Sequence, residues 1–104
     1  MLTISGGLIE THKGYVYWDF CTEEDKNGIE YDCVEIHNLY VDPKYRGQGF
    51  ARSLLTSAVA IISKQYPTLK IIIYAVSKEY GVDVKRLVKF YESLGLFVYY
   101  NFDT

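Results

Sequence analysis

One stretch restricts the fold more than any other: a strand-like segment that stops at a proline and leads through two glycines into a helix. The segment "IEYDCVEIHNLYV" (29–41) alternates as a β-strand does. This alternation predicts one face made of Cys33, Glu35, His37, Leu39 and Val41, and a second made of Val34, Ile36, Asn38 and Tyr40. Pro43 stops the strand because proline has no backbone N–H. From Gly49 to Tyr66 the apolar spacing becomes helical, which completes a strand–turn–helix unit.

The other segments extend this unit to the order β-β-β-α-β-α-β. Strands are predicted in the N-terminal stretch that Gly6-Gly7 interrupts, at 14–21, at 69–76 and at 96–102. A second helix is predicted at 84–94, with Asp83 as its cap and Gly95 at its end. Because 104 residues support one core and not two, we expect a single α/β domain spanning 1–104.

Charge and apolar runs exclude several classes of function. The chain has 11 Lys and Arg against 13 Asp and Glu, without the basic excess of a nucleic-acid binder. Its longest apolar run, "LKIIIYAV" (69–76), is far shorter than the ~20 residues of a membrane span. No secretory signal is visible, so we expect a soluble cytoplasmic protein without nucleic-acid or membrane partners. Cys21 and Cys33 have no metal-type companions; we expect free thiols and no metal site, although a bridge across the hairpin stays open.

The turn "YRGQGFA" (45–51) is the first functional signal. Backbone N–H groups at a helix N-terminus lack intrahelical partners and favour an anion, and glycines let phosphate oxygens approach them. The Gly-Lys-Ser/Thr ending of a Walker A loop is absent. The dinucleotide fingerprint fails as well, because Arg52 replaces its third glycine. Two interpretations of this turn therefore remain: a phosphate-binding site, or a tight turn that binds no ligand.

The residues around the turn add a resemblance. The segment "LYVDPKYRGQGFARSLL" (39–55) resembles motif A of the GNAT-type N-acetyltransferases, and "KFYESLGLFVY" (89–99) is similar to a second segment of that family. The resemblance covers residues ~14–102 and implies the family's α/β (α+β) fold, a single mixed, mostly antiparallel sheet flanked by helices. It also implies that acetyl-CoA binds. The residues that would hold it are Leu39, Val41, Arg46, Gly47, Gln48, Gly49, Ala51 and Arg52.

The same resemblance implies a direct transfer of the acetyl group to a primary amine. Tyr91 matches the tyrosine that protonates the departing sulfur, and Glu35 matches the glutamate base of the lysine-modifying branch. His37 shares the predicted strand face and is the second candidate for the base. A non-catalytic acyl-CoA-binding or protein-interaction module is the alternative function.

Two departures from the family pattern concern the acceptor. Few residues precede the strand at Gly14, so we expect the fold to lack the family's N-terminal strand-helix-helix portion. Val84 and Leu87 stand where the family has Asn-x-x-Ala. The acceptor groove is then open, which suits a peptide or protein amine, or a second copy completes it. The hypothesis is a homodimer, because unpaired strand edges tend to find partners.

Overall fold

The computed structural model describes residues 6–75 and 84–100. Its elements follow the predicted order: β1 (Gly6–Thr11), β2 (Gly14–Glu24), β3 (Glu30–Val41), a 3-10 turn (Pro43–Tyr45), α1 (Phe50–Gln65), β4 (Lys70–Ala75), α2 (Val84–Ser93) and β5 (Phe97–Tyr100). The predicted cap Asp83 lies outside the described residues. Neither described helix is long and apolar enough to cross a membrane.

The strands form one mixed sheet in the order β1-β2-β3-β4-β5, which confirms the predicted fold class. The two hairpin pairings, β1 with β2 and β2 with β3, are antiparallel and carry the longer ladders. The pairings of β3 with β4 and of β4 with β5 are parallel. The helices α1 and α2 each carry the chain back to the end of the sheet at which the preceding strand began. The turn between β2 and β3 contains Asn27-Gly28, with Gly28 at φ +77°.

Both described helices pack on the same face of the sheet. Their buried residues join one apolar core with the strand side chains Val16, Val34, Ile36, Ile71 and Ile73. The helical contribution consists of Leu54, Leu55, Ala58 and Ile62 from α1 and Val88 and Tyr91 from α2. Ile61, although it follows the helical spacing of the apolar residues in α1, is 39% exposed. The opposite face of the sheet, called the open face below, carries neither helix.

A bulge in β3 corrects the predicted alternation. Tyr17 pairs with Asn38 and Trp18 pairs with Ile36, so His37 is an extra residue without a direct partner on β2. One inserted residue exchanges the two faces from that point onward. Val41 is therefore buried in the core and Leu39 packs against it, on the same side as Ile36. The prediction that Leu39 and Val41 share a face with Glu35 is wrong.

Candidate active site

Strands β3 and β4 separate before they end. Their pairing runs from Cys33 opposite Lys70 to Ile36 opposite Ile73. β3 continues to Val41 and β4 to Ala75 without further pairs between them. Leu39 and Val41 therefore lie where the β4 side of β3 has no ladder partner among the described residues. A gap of this kind leaves main-chain groups available to an extended ligand.

A short turn carries the chain from β3 into α1. The Asp42 carboxylate accepts a hydrogen bond from the Lys44 N–H at 3.0 Å and starts the 3-10 turn. Gly47 and Gly49 follow with φ of +78° and +86°, the left-handed region that only glycine enters at little cost. A Cβ at either glycine would have no atom within 4 Å. Both glycines are thus required by the backbone conformation, and the space beside them is open.

The N-terminus of α1 has no acceptor from its own side chains. Gly49 is the cap residue, no side chain caps the helix, and its first turn contains no acidic residue. The first intrahelical bond runs from the Ser53 N–H to the Gly49 carbonyl at 3.0 Å. The N–H groups of Phe50, Ala51 and Arg52 precede that bond, and the helix dipole makes this end attractive to an anion.

A cavity of about 260 Å³ opens at this helix end. Six of the residues predicted to hold the cofactor line it: Val41, Arg46, Gly47, Gly49, Ala51 and Arg52. Leu39 and Gln48 do not line it. The Gln48 side-chain amide instead donates to the Lys44 carbonyl at 3.3 Å.

Two arginines make the cavity cationic. The Arg46 Nε donates to the Val41 carbonyl at 2.9 Å, which fixes the guanidinium at the end of β3. This bond uses one of the five N–H donors of an arginine. The Arg52 guanidinium carbon lies 5.0 Å from the centre of the Phe90 ring, a cation–π contact that orients it. Among the residues that the structure describes, no acidic side chain lines the cavity.

The sequence analysis missed the aromatic part of this cavity. Tyr45, Phe50 and Phe90 also line it, and the Tyr45 and Phe50 rings meet edge to face with their centres 5.8 Å apart. Lys13 stands behind them, with its ammonium 4.3 Å from the centre of the Phe50 ring. Phe90 belongs to the quoted segment "KFYESLGLFVY", but its place in the cavity, like the contact of Lys13 with Phe50, depends on tertiary packing that no spacing rule encodes.

The two candidates for the base form a pair on the open face. His37 Nδ1 lies 3.3 Å from Glu35 Oε2, and the exposed fractions of the two side chains are 36% and 18%. The Tyr17 ring lies 5.5 Å from the His37 ring. Neither candidate lines the cavity. At about 3.3 Å per strand residue, Glu35 is roughly 20 Å along β3 from Val41.

Tyr91 lies on the other side of the sheet. Its side chain is 9% exposed and belongs to the core between α2 and the strands. Burial raises the pKa of the Tyr91 phenol above its ordinary value. Tyr91 does not line the cavity, although its neighbour Phe90 does. The gap between β3 and β4 opens to both faces of the sheet, so it can be approached from the side of Tyr91 and from the open face.

Comparisons with known proteins agree with this fold. The family model described as "Putative acetyl-transferase" matches residues 11–99. No curated protein matches the sequence. Similar solved structures include a mutant of the AtaT toxin bound to the C-terminus of the antitoxin AtaR and to acetyl-CoA, with 20% identity and a TM-score of 0.60. A second is an acetyltransferase of Trypanosoma brucei, with 25% identity and a TM-score of 0.54. A third is a tetramutant of the BH1408 protein of Bacillus halodurans, with 23% identity and a TM-score of 0.55.

These three alignments cover 80%, 84% and 82% of this chain but only 49%, 54% and 51% of the other chains. The chain thus spans about half the length of the solved structures that it matches. What those proteins bind beyond the shared half does not transfer to this chain. The family model, in contrast, matches most of the chain, and the shared fold agrees with it. The chain therefore belongs to the acetyltransferase family, with a fold of the GNAT type.

Proposed function

We propose that the chain is an N-acetyltransferase that moves an acetyl group directly from acetyl-CoA to a primary amine. The single observation that carries this proposal is the end of α1. Its N–H groups lack side-chain acceptors, two glycines at positive φ approach it, and it borders a cationic cavity beside the gap between β3 and β4.

The residues present fit a nucleotide-linked thioester. The backbone amides of Gly47, Gly49, Ala51 and Arg52 are the donors for the pyrophosphate, and the Arg46 and Arg52 side chains supply its countercharge. The Gln48 amide is retained in the proposal as a further backbone donor because it lies between Gly47 and Gly49, although Gln48 itself does not line the cavity. Each charge-assisted hydrogen bond contributes about 1.5–3 kcal/mol. Acetyl-CoA supplies the activated acetyl group, and the free edge of β3 at Leu39 and Val41 is where its pantetheine arm finds main-chain partners.

A base is needed because amine acceptors are mostly protonated in water. A lysine-type amine with a pKa of about 10.4 is neutral in roughly 1 molecule in 2,500 at pH 7, a deficit of about 4.6 kcal/mol. Glu35 and His37 supply the group that removes this proton, either one alone or the two as a relay, since their side chains are 3.3 Å apart. Their place on the open face leaves room for an amine to approach.

Tyr91 is the proposed acid for the leaving sulfur. A general acid must hold its proton until the transfer, and burial favours the neutral phenol. Tyr91 and the Glu35–His37 pair belong to opposite faces of the sheet, so acid and base would act on the thioester from the two sides of the gap. This arrangement separates the proton donor from the proton acceptor.

The alternative is a module that binds acyl-CoA without turnover. One observation favours it: none of the three catalytic candidates lines the cavity. The alternative predicts the same affinity for acetyl-CoA and no consumption of it.

The deciding experiment combines calorimetry with an assay for free CoA thiol. We expect acetyl-CoA to bind and thiol to be released steadily with at least one member of an amine panel, identified by mass spectrometry of the products. Glu35→Gln or His37→Gln should then lower kcat by a factor of about 10²–10⁴. Glu24→Gln, on the opposite face of β2, is the matched control and should leave kcat unchanged.

Each result has a distinct meaning. Binding without thiol release supports the module and refutes the enzyme. Absence of binding refutes both. Thiol release that neither Glu35→Gln nor His37→Gln reduces would retain the enzyme and remove this pair from its mechanism.

A further inference from the structure

The two cysteines lie directly opposite each other on β2 and β3. Directly paired residues of an antiparallel sheet point to the same face, with Cβ atoms about 4.5–5.5 Å apart. The sulfur atoms of Cys21 and Cys33 are 2.6 Å apart, against roughly 2.05 Å in a disulfide. Both cysteines are free. A bond between them therefore requires only small side-chain rotations and no change of register.

Solvent reaches the two thiols unequally. Cys33 is fully buried, with 0% of its surface exposed, whereas Cys21 is half-buried. A reagent in solution therefore meets Cys21 first, and Cys33 stands behind it within bonding reach. This is the arrangement of an entry thiol and a resolving thiol.

The surroundings of Cys21 select the charge of that reagent. Glu23 and Glu35 each place a carboxylate oxygen within 4.8 Å of the Cys21 sulfur and of each other. Burial, the contact with Cys33 and these two carboxylates raise the pKa of the Cys21 thiol to about 12. An anionic reagent is repelled here, while an ammonium group is attracted and stabilises the thiolate as it approaches.

We propose that Cys21 and Cys33 are a dithiol site that a small cationic disulfide oxidises to a cross-strand disulfide. Cys21 loses its proton and attacks one sulfur of the reagent; the other half leaves as a thiol with that proton. Cys33 then loses its proton and attacks the Cys21 sulfur, and the second half leaves as a thiol. The chain loses two hydrogens and two electrons, and the reagent gains them.

The same cluster offers a competing occupant, a divalent cation on Cys21, Glu23 and Glu35. That group contains one sulfur and leaves out Cys33, and a zinc ion bound by both sulfurs would hold them about 3.8 Å apart, given Zn–S bonds of about 2.3 Å. The sulfurs of Cys21 and Cys33 are much closer, at 2.6 Å, so the geometry favours the bridge. This inference does not depend on acetyl-CoA. The disulfide would join β2 covalently to β3 at Cys33, two residues from Glu35.

The test compares two disulfide reagents of similar size and opposite charge, cystamine and dithiodipropionate, on the reduced full chain. Intact mass should show the loss of two hydrogens, and a digest without reduction should link the Cys21 and Cys33 peptides. We expect cystamine to react at least roughly tenfold faster. Glu23→Gln should reduce the ratio of the two oxidation rates, cystamine over dithiodipropionate. Glu24→Gln, on the opposite face of the sheet, should leave that ratio unchanged. Oxidation should raise the thermal midpoint by several degrees, because the bond closes a loop in the unfolded chain.

Variants define the order of attack. Cys33→Ala should stop at the mixed disulfide on Cys21, and Cys21→Ser should react with neither reagent. If either variant does not fold, the intact mass and the digest of the wild-type chain still show whether Cys21 and Cys33 become linked. The proposal fails if excess cystamine removes no hydrogens, if only disulfides between two chains form, or if the isolated chain carries zinc that a thiol reagent releases.

Discussion

Four glycines allow an effect on acetyl-CoA binding at the N-terminus of α1 to be separated from an effect on stability. Gly28, Gly47, Gly49 and Gly95 have φ of +77°, +78°, +86° and +85°. An added Cβ would have no neighbour within 4 Å at any of them. Alanine therefore carries nearly the same conformational cost at all four positions and meets no steric obstacle from the chain itself. Only Gly47 and Gly49 line the cavity.

The expected cost in stability is the left-handed conformation of alanine, about 1–2 kcal/mol at each position. For a domain of this size the thermal midpoint falls by about 4–8 °C per kcal/mol, so each variant should lose roughly 4–16 °C. At Gly47 and Gly49 a methyl group also enters the open side of the cavity, or the backbone relaxes and turns an amide away. Loss of one charge-assisted bond, about 1.5–3 kcal/mol, weakens acetyl-CoA binding roughly 10- to 150-fold.

The assay pairs thermal unfolding of each variant with calorimetric titration of acetyl-CoA, well below the lowest midpoint. Gly47→Ala and Gly49→Ala should lose both stability and affinity, whereas Gly28→Ala should lose stability alone. Gly28 is the cleanest control because it lies in the turn between β2 and β3. Equal losses of affinity at Gly28 and Gly49, or wild-type affinity in Gly49→Ala, would refute the reasoning that these amides hold the ligand.

Three further predictions follow from the site and the strand edge. Arg46→Gln and Arg52→Gln should each weaken acetyl-CoA binding and reduce its salt dependence, measured by titration at two ionic strengths; unchanged salt dependence would contradict their contact with phosphate. Tyr91→Phe should lower kcat and leave the Kd of acetyl-CoA unchanged. Because burial raises the pKa of Tyr91, wild-type kcat should fall only above the ordinary tyrosine pKa, and a fall near neutral pH would exclude it as the acid. Light scattering should give twice the 12.0 kDa of one chain, since an unpaired strand edge tends to find a partner; a mass of one chain would refute the homodimer.

The order of elements and the turn after β3 could be predicted because their signals are local. Pro43 removes a donor, the apolar residues of α1 recur at helical spacing, and glycine accepts positive φ. Each of these effects acts within a few residues of its cause. The walls of the cavity could not be predicted in this way. Lys13 and Phe90 meet the turn only after β1, β2 and α2 have packed.

The bulge at His37 shows a different limit of sequence reasoning. Alternation describes one strand, but a bulge is a property of two strands, because it exists only where the partner skips a residue. "CVEIHNLYV" reads as an unbroken strand, and nothing in its spacing marks His37 as the extra residue.

The consequence of the bulge reaches the site itself. In an unbroken strand, the face that carries Glu35 would also carry Leu39 and Val41, so either the base would turn into the core or two apolar residues would turn to the open face. With His37 inserted, Glu35 points to the open face while Val41 is buried beneath α1 and α2. One strand thus presents the proposed base Glu35 to solvent at its middle and anchors the turn that leads into α1 to the core at its end. We infer that the residue which sequence reasoning misread is the one that lets β3 perform both tasks.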